Sequence, residues 1–294
     1  LILDWSTLET NNQLQLLFLN TEKRILYSAY ADIVNTDKFL TEVIEPAKDY
    51  SPYVEIERDS LRSLYVSKNP IQSTRYTYLI QEISPNLFKS IVFTQPKIVQ
   101  RNIESEYSDR YTDDTSLMTV DTKNRNLNYV YPPAESIVPI KSSKLLKDSF
   151  DYINDHGGFT GDYRFSSMNI EKHITEYQLF LHGLPIYSNM TTTPTRIITT
   201  WGENRIFRYR RPYYSIATEG EVYREQKELV SGEEVIEYIR NTDDSFKDID
   251  EVVVGYYFAQ DEAFILEPSW FTISNNEWTH ISPERTGGII DGLE

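Results

Sequence analysis

The sequence predicts an α+β chain of several domains, in which antiparallel sheets are covered by short helices. Three observations predict it. Aromatic segments that alternate with a period of two recur along the chain, and 22 Tyr, 13 Phe and 4 Trp among 294 residues suit half-buried strands. Between them lie short apolar stretches at helical spacing, flanked by capping residues. All 11 glycines stand at or after Gly157, whereas ordinary usage would put about ten of them before that position. The two parts make their turns with different chemistry. A mixed N-terminal domain is therefore expected over 1–132, followed by two similar sheet-plus-helix modules over 133–194 and 195–294.

In the first domain, Gln13–Leu19 and Arg24–Tyr30 form a strand pair around Asn20-Thr-Glu-Lys23, on alternation and turn residues. Thr36 or Asp37 caps a helix in which Phe39, Leu40, Val43 and Ile44 share one face, ending by Pro46. Strands follow over 53–57, 63–66 and 74–83. Ser84 and Pro85 supply an N-cap and a first-turn proline to a short helix with Leu87, Phe88 and Ile91 as its buried stripe. A hairpin of 116–120 with 127–131 leads to Pro132-Pro133, the first boundary.

The first module opens with a helix capped by Ser142 or Ser143, with Leu146, Phe150 and Ile153 along one side and a stop at His156-Gly157-Gly158. An aromatic hairpin follows. In its second strand Thr175, Tyr177, Leu179 and Leu181 point one way and Glu176, Gln178, Phe180 and His182 the other, so that one face packs on the helix and the other is largely wet. The polar run Thr191–Pro194 is the second boundary. In the second module an aromatic strand begins at Ile206. Ser231 and Glu234 stand at capping-box spacing ahead of Val235, Ile236 and Ile239. Val252, Val254, Tyr256 and Phe258 share a strand face, and a last hairpin turns at Asn275-Asn276. The tail after Pro283, with Gly287, Gly288 and Gly292, is expected to fray.

Composition narrows the function. A formal charge of −16 repels phosphate backbones, which disfavours nucleic acid as a partner. With no cysteine, disulfides, thiolate nucleophiles and cysteine-held metal are excluded, while the compartment stays open. No apolar run of 18 residues occurs, so no spanning helix is expected within this sequence. It opens on Leu1 rather than Met, and a preceding anchor or domain is expected.

His156-Gly157-Gly158-Phe159 has the look of an esterase oxyanion segment, but no G-x-S-x-G pentapeptide accompanies it, so it reads as a helix stop. His156, His173, His182 and His280 lack metal-ligand spacing. The acidic runs Asp109–Asp114 and Asp243–Glu251 lack the alternating ligands and central glycine of a calcium loop and read as solvated loops. No catalytic residue, metal or cofactor is expected. Abundant aromatics beside 45 acids leave a glycan-binding module or glycosidase as the alternative. Arg205, Arg208, Arg210 and Arg211, interleaved with aromatics up to Tyr213, form the dense basic cluster of this acidic chain. Such arginines either lie over rings and pair with neighbouring acids or meet a partner or anionic head groups. Arg205, Arg208, Arg210, Arg211 and Tyr213 are the candidate partner contacts.

Several segments, in order, resemble the YycH family: Asp4-Trp-Ser6, Asn86-Leu-Phe88, Tyr111–Val120, Tyr163-Arg-Phe165 through Gly183-Leu-Pro185, Arg208–Pro212, Gly255-Tyr-Tyr257 and Leu266–Trp270. The resemblance implies a non-enzymatic regulator of low-GC Gram-positive bacteria, anchored in the cell membrane by an N-terminal helix absent here and exposed on the extracytoplasmic face. It also implies action with a YycI-like partner on a WalK-type sensor histidine kinase that governs cell-wall metabolism, and a shared fold for the last two domains.

Overall fold

In the computed structural model the described residues are 2–6, 8–20, 25–58, 62–188, 195–242, 244–260 and 264–283. The turn at 21–23, the expected boundary at 191–194 and the tail after Pro283 lie outside them. The class is α+β, with almost wholly antiparallel sheets and few, short helices. Contacts group the chain into two compact units, 1–70 with 230–250, and 71–229 with 251–294.

In the first unit, β1 (Ile2–Asp4), β2 (Gln13–Asn20) and β3 (Ile25–Asp32) make an antiparallel sheet. A helical run from Thr36 to Ala47 follows, and the cap is Asn35 rather than Thr36 or Asp37: its Oδ1 accepts from Lys38 N at 2.9 Å. β4 (Tyr53–Ile56) and β5 (Leu64–Ser67) form a hairpin. The Gly232–Thr242 helix, assigned by sequence to the second module, belongs to this unit. It starts in the expected capping box, with Ser231 N and Oγ both donating to Glu234 Oε2 at 2.9 Å. Its first residue meets the hairpin so closely that a Cβ on Gly232 would lie 2.3 Å from Val66 Cβ. Val235, Ile236 and Ile239 are buried as expected.

The second unit is organised by one continuous strand path. Its strands are β6 (Ile71–Glu82), β7 (Gln100–Ser105), β8 (Ser108–Thr112), β9 (Leu117–Asp121), β10 (Asn126–Val130), β11 (Asp162–Asn169), β12 (Ile174–Leu181), β13 (Leu184–Ser188), β14 (Arg196–Trp201), β15 (Ile206–Pro212), β16 (Tyr214–Leu229), β17 (Glu251–Gln260), β18 (Phe264–Ser274) and β19 (Glu277–Ile281). The order is β16-β6-β18-β17-β13-β12-β14-β15-β10-β9-β8-β7, with β11 beside β12 and β19 beside β18. All pairings are antiparallel except β13 with β17. Pro132-Pro133 forms a short 3-10 turn within this unit, and pairing crosses it, since β10 bonds to β15.

Two cores lie in this unit. One gathers Tyr111, Met118, Leu127, Tyr129, Tyr177 and Tyr209 with Phe88 and Ile153 of the Pro85–Val92 and Ser142–Asp155 helices. The other gathers Tyr78, Leu179, Leu181, Ile186, Tyr256 and Phe264. Ser84 caps the first helix as expected, but the buried residues are Phe88 and Val92, with Leu87 half exposed. The second helix starts at Lys141 without a side-chain cap, so neither Ser142 nor Ser143 serves. It buries Leu145, Ser149 and Ile153, and turns Leu146 and Phe150 outward. Ser149 tolerates burial because its Oγ meets Tyr177 Oη at 2.9 Å. The glycine stop is present: Gly157 has φ +102° and Gly158 N donates to Ile153 O at 2.8 Å. The face of β12 with Thr175, Tyr177, Leu179 and Leu181 is the buried one, but the other face is not wholly wet, since Gln178 is also buried, donating to Ile186 O and Thr195 O. His182 is a turn residue: with Gly183 it closes the β12–β13 hairpin at positive φ.

Buried phenols give this unit an alkaline limit. Burial pushes Tyr187 and Tyr256 up to about 12 and moves Tyr163, Tyr213 and Tyr214 upward as well. Between the unfolded value of about 10 and the folded value, the unfolded state has lost protons that the native state keeps. Stability is therefore full below pH about 10 and falls by about 1.4 kcal/mol per pH unit for each such phenol as pH rises. Phenolate absorbance and near-ultraviolet circular dichroism are expected to change together, in one steep transition above pH about 10. Phenolate formation that is gradual, with dichroism unchanged, would contradict it.

Candidate functional site

β15 carries the basic cluster, and its pleat divides it. The strand pairs with β10 on one side and β14 on the other, placing Tyr209 opposite Tyr129 and Thr199. Because successive side chains alternate between faces, Tyr209 and Arg211 enter the core under the Ser142–Asp155 helix while Arg208 and Arg210 stand on the opposite face.

Arg211 is fully buried. Among the described residues it has no carboxylate partner; instead Nη1 donates to Gly158 O at 2.9 Å and Tyr209 Oη at 2.8 Å, Nη2 to Thr160 Oγ1 at 3.3 Å and Nε to Pro212 O at 3.1 Å. Carbonyls just past a helix C-terminus carry partial negative charge, and the Phe88 ring lies 4.8 Å from the guanidinium carbon, so the charge is met by dipoles and a π face. Tyr213 is buried too, its backbone N donating to Arg125 O at 3.0 Å and its phenol to Asp121 O at 3.4 Å. Arg211 and Tyr213 are therefore corrected from candidate partner contacts to core residues. The pattern of arginine between aromatics is the same whether the guanidinium points in or out.

Arg205 and Arg208 are exposed and Arg210 is half-buried. The Arg205 guanidinium lies over the Tyr131 ring at 3.9 Å, an arrangement that holds the side chain without neutralising its charge. On the Arg210 face the cross-strand neighbours are Asn128 of β10 and Ile198 of β14, then Glu176 of β12. Burial first, and the adjacent Arg208 charge second, lower the Arg210 pKa. Sequence reasoning missed Asn128, whose relation to Arg210 exists only through the long-range β10–β15 pairing.

The acidic run at 109–114 is also corrected from a solvated loop. Asp109 sits in β8, nearly buried, with Arg101 Nη2 at 2.7 Å. Asp113 organises the following turn: burial raises its pKa, but hydrogen bonds from Ser116 and Thr115 outweigh that and hold it below the usual carboxylate range. An apolar groove of about 440 Å³ is lined by Leu146, Phe150, Phe159, Tyr163, Phe165 and Tyr177. Its signal was the second i, i+4 stripe of the helix, Leu146 and Phe150. Among the described residues no group of three or more His, Asp and Glu converges as metal ligands, and no helix is long and apolar enough to cross a membrane.

Known proteins share this architecture. The chain is 22% identical over 300 residues to the two-component system WalR/WalK regulatory protein YycH of Bacillus subtilis (strain 168), with 97% of this chain and 65% of that protein covered. The chain thus spans about two thirds of that relative's length. The crystal structure of YycH from Bacillus subtilis superposes with a TM-score of 0.76 at 20% identity, covering 93% of this chain and 69% of the other, a likeness of fold. The family model described as YycH protein, C-terminal domain, matches residues 61–286. With most of its length inside that match, the chain belongs to the YycH family.

Proposed function

We propose that this chain is a regulatory part of a two-component system, acting by contact rather than catalysis on a sensor histidine kinase of the WalK type that controls cell-wall metabolism. It works together with a YycI-like protein, at the extracytoplasmic face of the membrane, held there by an anchor. The observation that carries this reading is family membership together with a relative named as a WalR/WalK regulatory protein. In thermodynamic terms such a regulator must bind one state of the kinase better than another, because a ligand shifts an equilibrium only by its differential affinity. Arg205 and Arg208, exposed on an acidic chain, and the half-buried Arg210 are the contacts proposed for this role.

Co-isolation tests the proposal. Full-length anchored protein expressed in membranes with the kinase and the YycI-like protein is expected to be recovered with both. Recovery of neither would overturn it. Turnover of cell-wall glycan fragments that a single carboxylate substitution abolishes would replace it with the enzymatic alternative.

A further inference from the structure

Several arginines of this chain are held by carboxylates, as in Arg101 with Asp109 at 2.7 Å, Arg125 with Glu82 at 2.6 Å and Arg196 with Glu176 at 3.1 Å. Arg210 differs. Among the described residues it has no ion pair, and its Nε is buried without a hydrogen-bond partner. Directly across the strand pair, the Oδ1 of Asn128 is also buried without a partner. The carboxylate that acts on Arg210 through space, Glu176, is already engaged by Arg196 Nη1 at 3.1 Å and Asn276 Nδ2 at 3.2 Å. Arg208, two residues along the same face, is exposed and likewise without an ion pair among the described residues.

A guanidinium taken partly out of water without acceptors costs the free protein stability, and so does an acceptor without a donor. The first cost is relieved when a carboxylate supplies two oxygens in the geometry of the guanidinium fork; the Asn128 acceptor is buried and lies beyond a partner's reach. On a chain of formal charge −16, two uncompensated arginines side by side also supply local complementarity to an acidic partner.

We propose that Arg208 and Arg210 form a docking site for an acidic segment of a partner protein, with side-chain carboxylates on the two guanidinium groups. The proposal deepens the regulatory reading and rests on it only in taking the ligand to be a protein.

The test uses the whole chain and an acetylated, amidated peptide of alternating Gly and Glu, followed by chemical-shift perturbation. Saturable binding is expected with shifts at 208–210, weakening as salt rises from about 50 to about 300 mM. Arg210→Met is expected to lower affinity about tenfold or more, and Arg208→Met to weaken it less. Arg210→Met is also expected to melt no lower than the parent, because among the described residues Arg210 makes no ion pair and its desolvation outweighs the through-space attraction of Glu176. Undiminished binding by Arg210→Met, a clear fall in its melting temperature, or inorganic phosphate binding where the peptide does not, would each overturn the site. Since the peptide readout involves no kinase, its failure with kinase co-isolation intact removes this site alone, whereas lost co-isolation with peptide binding intact removes the regulatory reading.

Discussion

Replacing Arg211 with Ala is expected to destabilise the second unit by about 4 kcal/mol, from orphaned buried acceptors together with the cavity left by the side chain. The guanidinium is the common partner of the carbonyl at Gly158, the Tyr209 phenol and the Thr160 hydroxyl. Its loss orphans buried acceptors at about 1–3 kcal/mol each and leaves a void between Phe88 and the end of the Ser142–Asp155 helix. Arg211→Lys keeps the charge but not the planar fork that reaches several acceptors at once, nor the stacking on Phe88, and is expected to recover little. Calorimetry should show a fall of about 10 °C for Arg211→Ala. A fall of only a degree or two would show that water can replace the side chain.

The second large effect is steric. A Cβ on Gly202 would lie 1.7 Å from Ala134 O and 2.6 Å from Ala134 C. Both are backbone atoms in the Pro132–Ala134 turn, where two prolines restrict adjustment. The other side is pinned by Gly202 N donating to Arg205 O at 2.9 Å. Gly202→Ala is expected to cost about 3 kcal/mol and to disturb Tyr131 and Arg205 beside it. Gly158→Ala makes a control: φ is +65° but nothing lies within 4 Å of the new Cβ, so only the left-handed penalty of about 1–2 kcal/mol applies. Equal melting temperatures for the two variants would contradict the steric account.

What could be read from the sequence was what neighbours in sequence decide. The Ser231–Glu234 box, the Gly157 stop, the Ser84 cap and the Asn275-Asn276 turn are settled within four residues by hydrogen bonds and positive φ, and all four are present. Strand alternation likewise separated the two faces of β12. Choices that depend on distant contacts were not legible. The Ser142–Asp155 helix offers two stripes at helical spacing, and the one containing Ser149 is buried because Tyr177 supplies its hydrogen bond. β16 runs for 16 residues with few apolar positions, and its long pairing with β6 leaves little alternation to detect. The helix at 232 follows β16 in sequence yet packs on β5, whose Ser67 Oγ accepts from Gly232 N at 3.3 Å. At the basic cluster, the sequence located the right strand, but only the pleat and the β10–β15 register separate the buried Arg211 from the outward Arg208 and Arg210 and bring Asn128 beside them.

The central claim is that the chain acts by protein contact on a kinase, and autophosphorylation measures that most directly. Kinase in reconstituted membranes should be assayed alone, with the anchored full-length protein and its YycI-like partner, and with Arg208→Glu/Arg210→Glu protein of matched melting temperature. The wild-type protein is expected to shift the autophosphorylation rate and the charge-reversed protein to lose most of that shift. A rate identical in all three membranes would contradict the claim.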